Sequence, residues 1–414
     1  MTAGHLDIRP FGPADDVEAE LDLRRRAFGP IAAGDRPRWI AGVQASVDAG
    51  QIFGVFDGSR LVASARYFAM RQWWLGRSIP MAGVAGVKVA PEERGRGVGR
   101  ALMLEMLAGL EDRGFLLSTL YPATARLYRA LGWEIAGGKY ETVLPTADLA
   151  ALLPPDPLVG GDDAGDQPSA PGLRRATVHD GAAVVEALGA VHRTLRDSGP
   201  ATETPDLVSA WLDDHDHFAY LADDGFLSYR WASHRSPTGG HELQVDFVAA
   251  ASAGTARTFW QILSSHAANA DTIRACLSPG DAIDWLTREP VVAIRRRDPW
   301  MLRIIDAAAA IGARGYPPSA ALSVQLDLAD DVMPGNAGRW ALEISGGAGT
   351  LTRAAGRERG SALRLGPRGF AALFAGVPVA TLRLTGLAAG GGQEADGELD
   401  AAFACGPVHM LFEF

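Results

Sequence analysis

The chain has 414 residues, 47% of them hydrophobic and 21% charged, with a net charge of −10. The length asks for more than one domain, the balance is that of a globular chain with several cores, and the acidic surplus excludes nucleic acid as the main partner. Cys276 and Cys405 are too few for a disulfide framework or a cysteine-built zinc site. No run of about 18 apolar residues marks a membrane span, and the N-terminal residues lack a signal-peptide pattern, so a cytoplasmic protein is expected.

In chain order, LDIRPFGPADDVEAELDLRRRAF predicts a short strand and then a helix. IFGVFDGSRLVASARYF predicts a hairpin around Asp57-Gly58. Trp39, Trp73 and Trp74 are candidate pocket-lining aromatics or packing residues, and Asp35 is a candidate cation contact. The strongest local signal is MAGVAGVKVAPEERGRGVGRALMLEMLAGLEDR, residues 81–113. Val84, Val87 and Val89 lie in a strand ended by Pro91. Arg94-Gly95-Arg96-Gly97-Val98-Gly99 makes a glycine-rich turn, and Leu102, Met103, Met106, Leu107 and Leu110 form one face of a helix.

Such a turn has specific physics. The first helical N–H groups lack intrahelical partners and lie at the positive end of the dipole, and glycines let a ligand approach the backbone. With Arg94, Arg96 and Arg100 added, the turn is an anion site suited to a pyrophosphate. It matches neither a P-loop nor G-x-G-x-x-G. FLLSTL predicts the next strand, and ARLYRALGW follows it.

Residues 154–172, PPDPLVGGDDAGDQPSAPG, read as a linker. Beyond it LRRATVHDGAAVVEALGAVHRTL repeats the strand–helix unit, and FAYLADDGFLSYRWA repeats the hairpin around Asp224-Gly225. Leu6 and Leu173, like Asp57 and Asp224, are 167 positions apart, which argues for a duplicated domain. After the strand HELQVDFV the second copy reads AAASAGTARTFWQIL. Only Gly254 and Arg257 remain of the glycine and arginine set, so this copy is expected to be degenerate. His215-Asp216-His217 reads as a polar turn, with no third ligand placed for a metal. In the last third, DPWMLRIIDAAAAIGAR has helical spacing. LSVQLDL, WALEI, GTLTR, ALRLG and ATLRLTG read as strands, and RGFAALFAG reads as a helix.

V-K-V-A-P-x-x-R-G-R-G-V-G-R-A-L resembles motif A of the GNAT N-acetyltransferases, and the whole layout resembles their Eis (enhanced intracellular survival) members. The resemblance implies a mixed α/β and α+β chain: tandem GNAT folds, a catalytic one over 1–153 and a degenerate one over 154–297, then a sterol-carrier-protein-like domain over 298–414. It implies acetyl-CoA as co-substrate and no metal. The pyrophosphate would lie on residues about 94–99, the pantetheine arm along the Val87–Val89 backbone, and the thioester carbonyl at the N–H near Val87. It implies Tyr128 as general acid and the terminal carboxylate, here of Phe414, as base. Read from the residues alone, Glu413 is a candidate negative charge for a cationic substrate or a solvated charge, and Trp39 a candidate pocket residue or a packing one.

Acceptors would be primary amines of cationic molecules: aminoglycosides, peptide antibiotics, polyamines or lysine side chains. The assembly would be a homo-hexamer. Tyr121, Ala123 and Gly86 depart from the usual Eis pattern around the pocket. The alternative is a non-catalytic lipid-binding or regulatory protein using the C-terminal domain.

Overall fold

The structure is a computed structural model that describes residues 6–154, 170–235, 239–290, 292–354 and 362–414. Most of the expected linker lies outside the described residues. Among the described residues two sheets form, one of 14 strands and one of five.

The large sheet begins as an antiparallel ladder of Asp7–Pro10, Ile52–Asp57, Arg60–Trp74 and Arg77–Val89. Arg77–Val89 then pairs in parallel with Leu117–Leu120, but only from Met81 to Gly83. Next comes Ala293–Ile304, antiparallel to both Leu117–Leu120 and Glu134–Pro145. Glu134–Pro145 in turn pairs with Ala270–Cys276, which leads to His241–Ala250, Gly225–Arg235, Phe218–Ala222 and Arg174–Arg175. The two halves are therefore one continuous sheet, and the expected boundary between 297 and 298 falls inside strand Ala293–Ile304.

That strand corrects one expectation. DPWMLRI has no helical turn; the helix starts only at Ala307 and runs to Ala313. Trp300, Leu302 and Ile304 enter one core while Met301 enters another. A strand buried on both faces shows a continuous apolar run, which periodicity cannot tell from a helix. The second correction is ATLRLTG, which forms the helix Val379–Leu384. Val379 and Leu382, three apart, are buried and Leu384 is 88% exposed, so five alternating residues were ambiguous between the two periods. The hairpins form, with centres at Gly58-Ser59 and Asp223-Asp224, because Asp57 faces Arg60 and Ala222 faces Gly225.

The small sheet, in the order Ala348–Arg353, Gly338–Ser345, Leu322–Leu328, Leu363–Leu365 and Ala388–Gly390, carries helices Pro367–Phe374, Val379–Leu384 and Gln393–Phe403. Its core is shared with the first half. Trp340, Phe370, Phe374 and Phe403 join Met70, Trp74, Ile79, Met81 and Leu117. The opposite face of the same strands carries the helix Val98–Asp112, whose Leu102, Met103, Met106, Leu107 and Leu110 are buried as their spacing predicts. Full burial of each such side chain is worth roughly 1.5–3 kcal/mol. The N-terminal sheet is thus held on both faces, and its strands can part at one point without collapsing.

Candidate active site

The strands part beyond Gly83. From there Arg77–Val89 keeps its antiparallel neighbour Arg60–Trp74, but among the described residues no strand pairs with its other edge. Within this free stretch Ser64 faces Lys88 and Arg66 faces Ala85, so Gly86 and Val87 together oppose Ala65. This is a β-bulge, and Gly86 adopts φ 58°, a left-handed conformation that suits glycine. Bulges re-aim backbone groups, here beside a slot open to an extended ligand.

The slot leads to the glycine-rich turn. After a short 3₁₀ turn, Pro91–Glu93, the helix Val98–Asp112 starts on Gly97 at φ 82° with no side-chain cap and no acid in its first turn. Its leading N–H groups therefore remain for a ligand. A side chain placed on Gly95 or Gly97 would meet nothing within 4 Å, so the turn is open to approach. Gly99 lies closer in, its absent Cβ 3.3 Å from Val89.

The nearby acids are already neutralised. Glu93, only 6% exposed, is held by Arg60 at 2.5 Å and by Arg96, and Glu92 is held by Arg26 at 3.0 Å. Arg96 is thus committed to Glu93, whereas Arg94 and Arg100 extend on the exposed side. Val98 is buried and anchors the turn.

Tyr128 sits in the short helix Ala125–Arg129, which follows strand Leu117–Leu120. Its ring lies edge-on to Trp133 at 6.1 Å, within the core beneath the motif helix. Burial pushes its phenol up to about 12. Among the described residues the hydroxyl has no hydrogen-bond partner, so its proton is available to a bound group.

The end of the chain arrives from the other face. His409–Met410 adds a short parallel strand beside Glu134–Pro145. The tail then places the Phe414 ring edge-on to Tyr121 at 5.6 Å and to Phe412 at 6.2 Å. The Tyr121 hydroxyl donates to the Phe412 carbonyl at 2.7 Å. The ring covers Gly83, where an added Cβ would lie 2.7 Å from it. Gly83 faces Phe68 across the ladder and is the last residue before the strands part. Alternation along the strand puts Ala82 and Val84 in the core containing Tyr128, while Met81 belongs to the core against which Phe414 packs. Tyr128 and the C-terminal ring therefore belong to cores on opposite faces of the sheet.

Glu413 is paired with Lys139 at 2.7 Å, so its charge is already answered. Trp39 packs against the small core around Phe11 and Leu23. Trp74 is fully buried, and Trp73 lies 5.8 Å from His192 at the junction of the halves. Asp35 begins the helix Arg36–Asp48. His217 lies 3.2 Å from Asp246 and 3.4 Å from Asp214, and among the described residues no cluster suits a metal.

Sequence reasoning missed Gly83 as the seat of the terminal ring, and Lys139 as the partner of Glu413. It also missed the buried pair Lys88–Glu20 at 2.6 Å behind the bulge. A glycine in a strand signals close backbone approach, but nothing in MAGVAGV says what approaches.

Known proteins carry the same parts in the same order. Acetyltransferase (GNAT) domain models match residues 7–136 and 202–304, and a sterol carrier protein domain model matches 307–411. A GCN5-related N-acetyltransferase from Kribbella flavida is 40% identical, with a TM-score of 0.89 over 99% of this chain and 98% of that one. The chain belongs to the GCN5-related (GNAT) N-acetyltransferases. The N-acetyltransferase Eis of Mycobacterium tuberculosis is 28% identical over 72% of each chain, and Eis1 from Mycobacterium abscessus shares the fold at a TM-score of 0.76 and 19% identity over 99% of this chain and all of that one. As a GNAT enzyme the protein is an acetyl-CoA-dependent acyltransferase. Among the described residues no helix is long and apolar enough to cross a membrane.

Proposed function

We propose that the first unit, residues 1–153, transfers acetyl from acetyl-CoA to a primary amine by direct attack in a ternary complex. The diphosphate would lie on the amides of the turn at Arg94–Gly99 with Arg94 and Arg100 beside it. The pantetheine arm would run along the free edge at Val87–Val89. The bulge would turn the N–H near Val87 toward the thioester oxygen, where developing negative charge is best met.

The terminal carboxylate of Phe414 accepts the proton that the amine loses. The nitrogen bonds to the carbonyl carbon, the carbon–sulfur bond breaks, and Tyr128 gives its proton to the departing thiolate. The observation that supports this reading is that Tyr128 and Phe414 belong to cores on opposite faces of the strand that borders the slot, with the Phe414 ring over Gly83. Base and acid then act on the incoming and outgoing groups without competing for one position. Burial keeps Tyr128 in its donating form across the neutral range.

The second unit, 154–297, serves as scaffold, and the third, 298–414, delivers the terminal residue. At long range the charge of −10 favours cationic acceptors of the aminoglycoside, peptide, polyamine or lysine kind. A cytoplasmic homo-hexamer belongs to the same proposal and rests on the family resemblance; light scattering checks the assembly. The test of function is thiol release from acetyl-CoA with a panel of such amines, read with mass spectrometry. Turnover with an acetylated amine product is expected. No turnover with any amine, under conditions where acetyl-CoA binds, overturns the reading.

A further inference from the structure

The second half contains a hollow of about 320 Å³ that acetyl transfer does not use. Its walls come from the helix Gly181–Leu195, the end of strand His241–Ala250, the helix Ala253–Ser264, the turn 278–282 and the C-terminal segment. Val191, Leu195, Val248, Trp260 and Leu411 give it apolar sides.

Its polar side chains are two carboxyls, two imidazoles and the Ser278 hydroxyl, which donates to the Pro279 carbonyl at 3.4 Å. His192 is 1% exposed, and its Nδ1 lies 2.8 Å from Asp197 Oδ2. A carboxylate can only accept, so Nδ1 carries the proton of that contact. Nε2 is buried and has no partner among the described residues. His409 is 4% exposed, and its Nδ1 faces the Pro407 carbonyl at 2.9 Å. Burial lowers its pKa, so the ring is neutral and its Nε2 is an acceptor. Asp281 accepts the Ile283 N–H at 3.1 Å through Oδ1, and burial raises it to about 6. Two carboxyl groups and two imidazoles thus line the hollow, with no lysine or arginine among the lining residues. A buried polar atom without a partner, as His192 Nε2 is among the described residues, is costly unless a ligand answers it.

We propose that this hollow binds an organic ammonium, a primary amine cation on an apolar body. Three N–H donors would meet His192 Nε2, Asp281 and His409 Nε2, and the apolar walls would cover the body. The site is separate from the slot at Gly83, but the two share one segment. His409 and Leu411 line the hollow, while Phe414 reaches the slot. An amine bound here therefore lies against the same tail that ends in the acetyl-transfer site.

The test is calorimetry on the full chain without acetyl-CoA, using 2-phenylethylammonium, the neutral 2-phenylethanol and the anionic 3-phenylpropionate. The ammonium is expected to bind at least about tenfold more tightly than either isostere, as a buried charge partner requires. Asp281→Asn should weaken that binding about tenfold or more. Leu195→Trp fills the rim from a position that is 54% exposed, so it should block binding without touching a hydrogen bond, and it stands as the test if Asp281→Asn does not fold. Both variants should bind acetyl-CoA normally, since neither residue lies in the motif. Equal binding of the alcohol, tighter binding of the anion, or full ammonium affinity in Leu195→Trp overturns the proposal. Because no acetyl transfer is measured, failure here leaves the acetyl-transfer reading standing, and the converse also holds.

Discussion

The two halves build the same strand-to-helix step and finish it in opposite ways. In the first, eight residues separate strand Arg77–Val89 from helix Val98–Asp112, and the helix opens on an uncapped glycine. In the second, only Ala251 and Ser252 separate His241–Ala250 from Ala253–Ser264, and the Ser252 hydroxyl accepts from the Thr255 N–H. One helix leaves its first donors to a ligand, and the other satisfies them with its own side chain. The bulges differ in the same sense. Gly86 sits in the first, and the second holds Asp246, bound to His217 at 3.2 Å and Arg230 at 3.5 Å. The parallel pairing stops short of the strand's end in both halves, at Gly83 in the first and at Val245, directly before the bulge, in the second. The two halves thus differ by a few residues that either leave backbone groups open or close them internally.

The most damaging way to break this contrast is to make the first turn resemble the second. Gly97→Asp supplies a capping carboxylate and puts negative charge where the diphosphate is expected. Acetyl-CoA affinity should fall about 1,000-fold, roughly 4 kcal/mol at 1.4 kcal/mol per tenfold. Stability should stay near that of the parent, because a cap worth about 1 kcal/mol offsets the 1–2 kcal/mol cost of a left-handed non-glycine residue. Calorimetry and a melting curve separate the two effects, and unchanged affinity would remove the anion site.

Next in size is Tyr128→Phe. Loss of a general acid lowers kcat by about 100-fold or more, with KM little changed. Since burial puts the phenol at about 12, the acid form persists through mildly alkaline conditions. kcat in the parent enzyme should therefore show no alkaline fall below about pH 10. A fall near neutral pH, or normal turnover in the variant, assigns the proton to another group.

An extension beyond Phe414 should cost roughly tenfold or more in kcat, while the same tag at the N-terminus costs nothing. The Phe414 ring fills the space over Gly83 and holds the terminus in place, and added residues remove both the carboxylate and its fit. Equal activity of the two tagged proteins would exclude the terminal carboxylate as base.

Much of this was legible in the sequence because the signals were local. V-K-V, the glycine turn and the apolar face of the following helix lie within one continuous segment, and the structure joins them as spacing implies. The shortened second turn was legible too, as AAASAGTARTF lacks the residues to make the loop. What could not be read was the meeting of distant segments. Nothing in HMLFEF says that its last ring lands on Gly83, or that Tyr121, 291 positions away, holds the Phe412 carbonyl. Nor does a local pattern reveal that Ala293–Ile304 threads between Leu117–Leu120 and Glu134–Pro145, since a strand buried on both sides carries no alternation.

The smallest expected effect tests the second half. Ser252→Ala removes the side-chain cap of helix Ala253–Ser264, leaving the Thr255 N–H without its acceptor. Thr255 itself donates through its hydroxyl to Asp224, so that contact persists and the helix start is loosened rather than lost. Stability should fall by about 1 kcal/mol, the usual worth of such a cap. Acetyl-CoA affinity should not change, because a helix that starts directly after its strand has no open turn for a diphosphate. If uncapping this helix instead created a second acetyl-CoA site by calorimetry, the absence of donors would have been the only barrier, and the missing glycine turn would carry less of the difference between the two halves than its length implies.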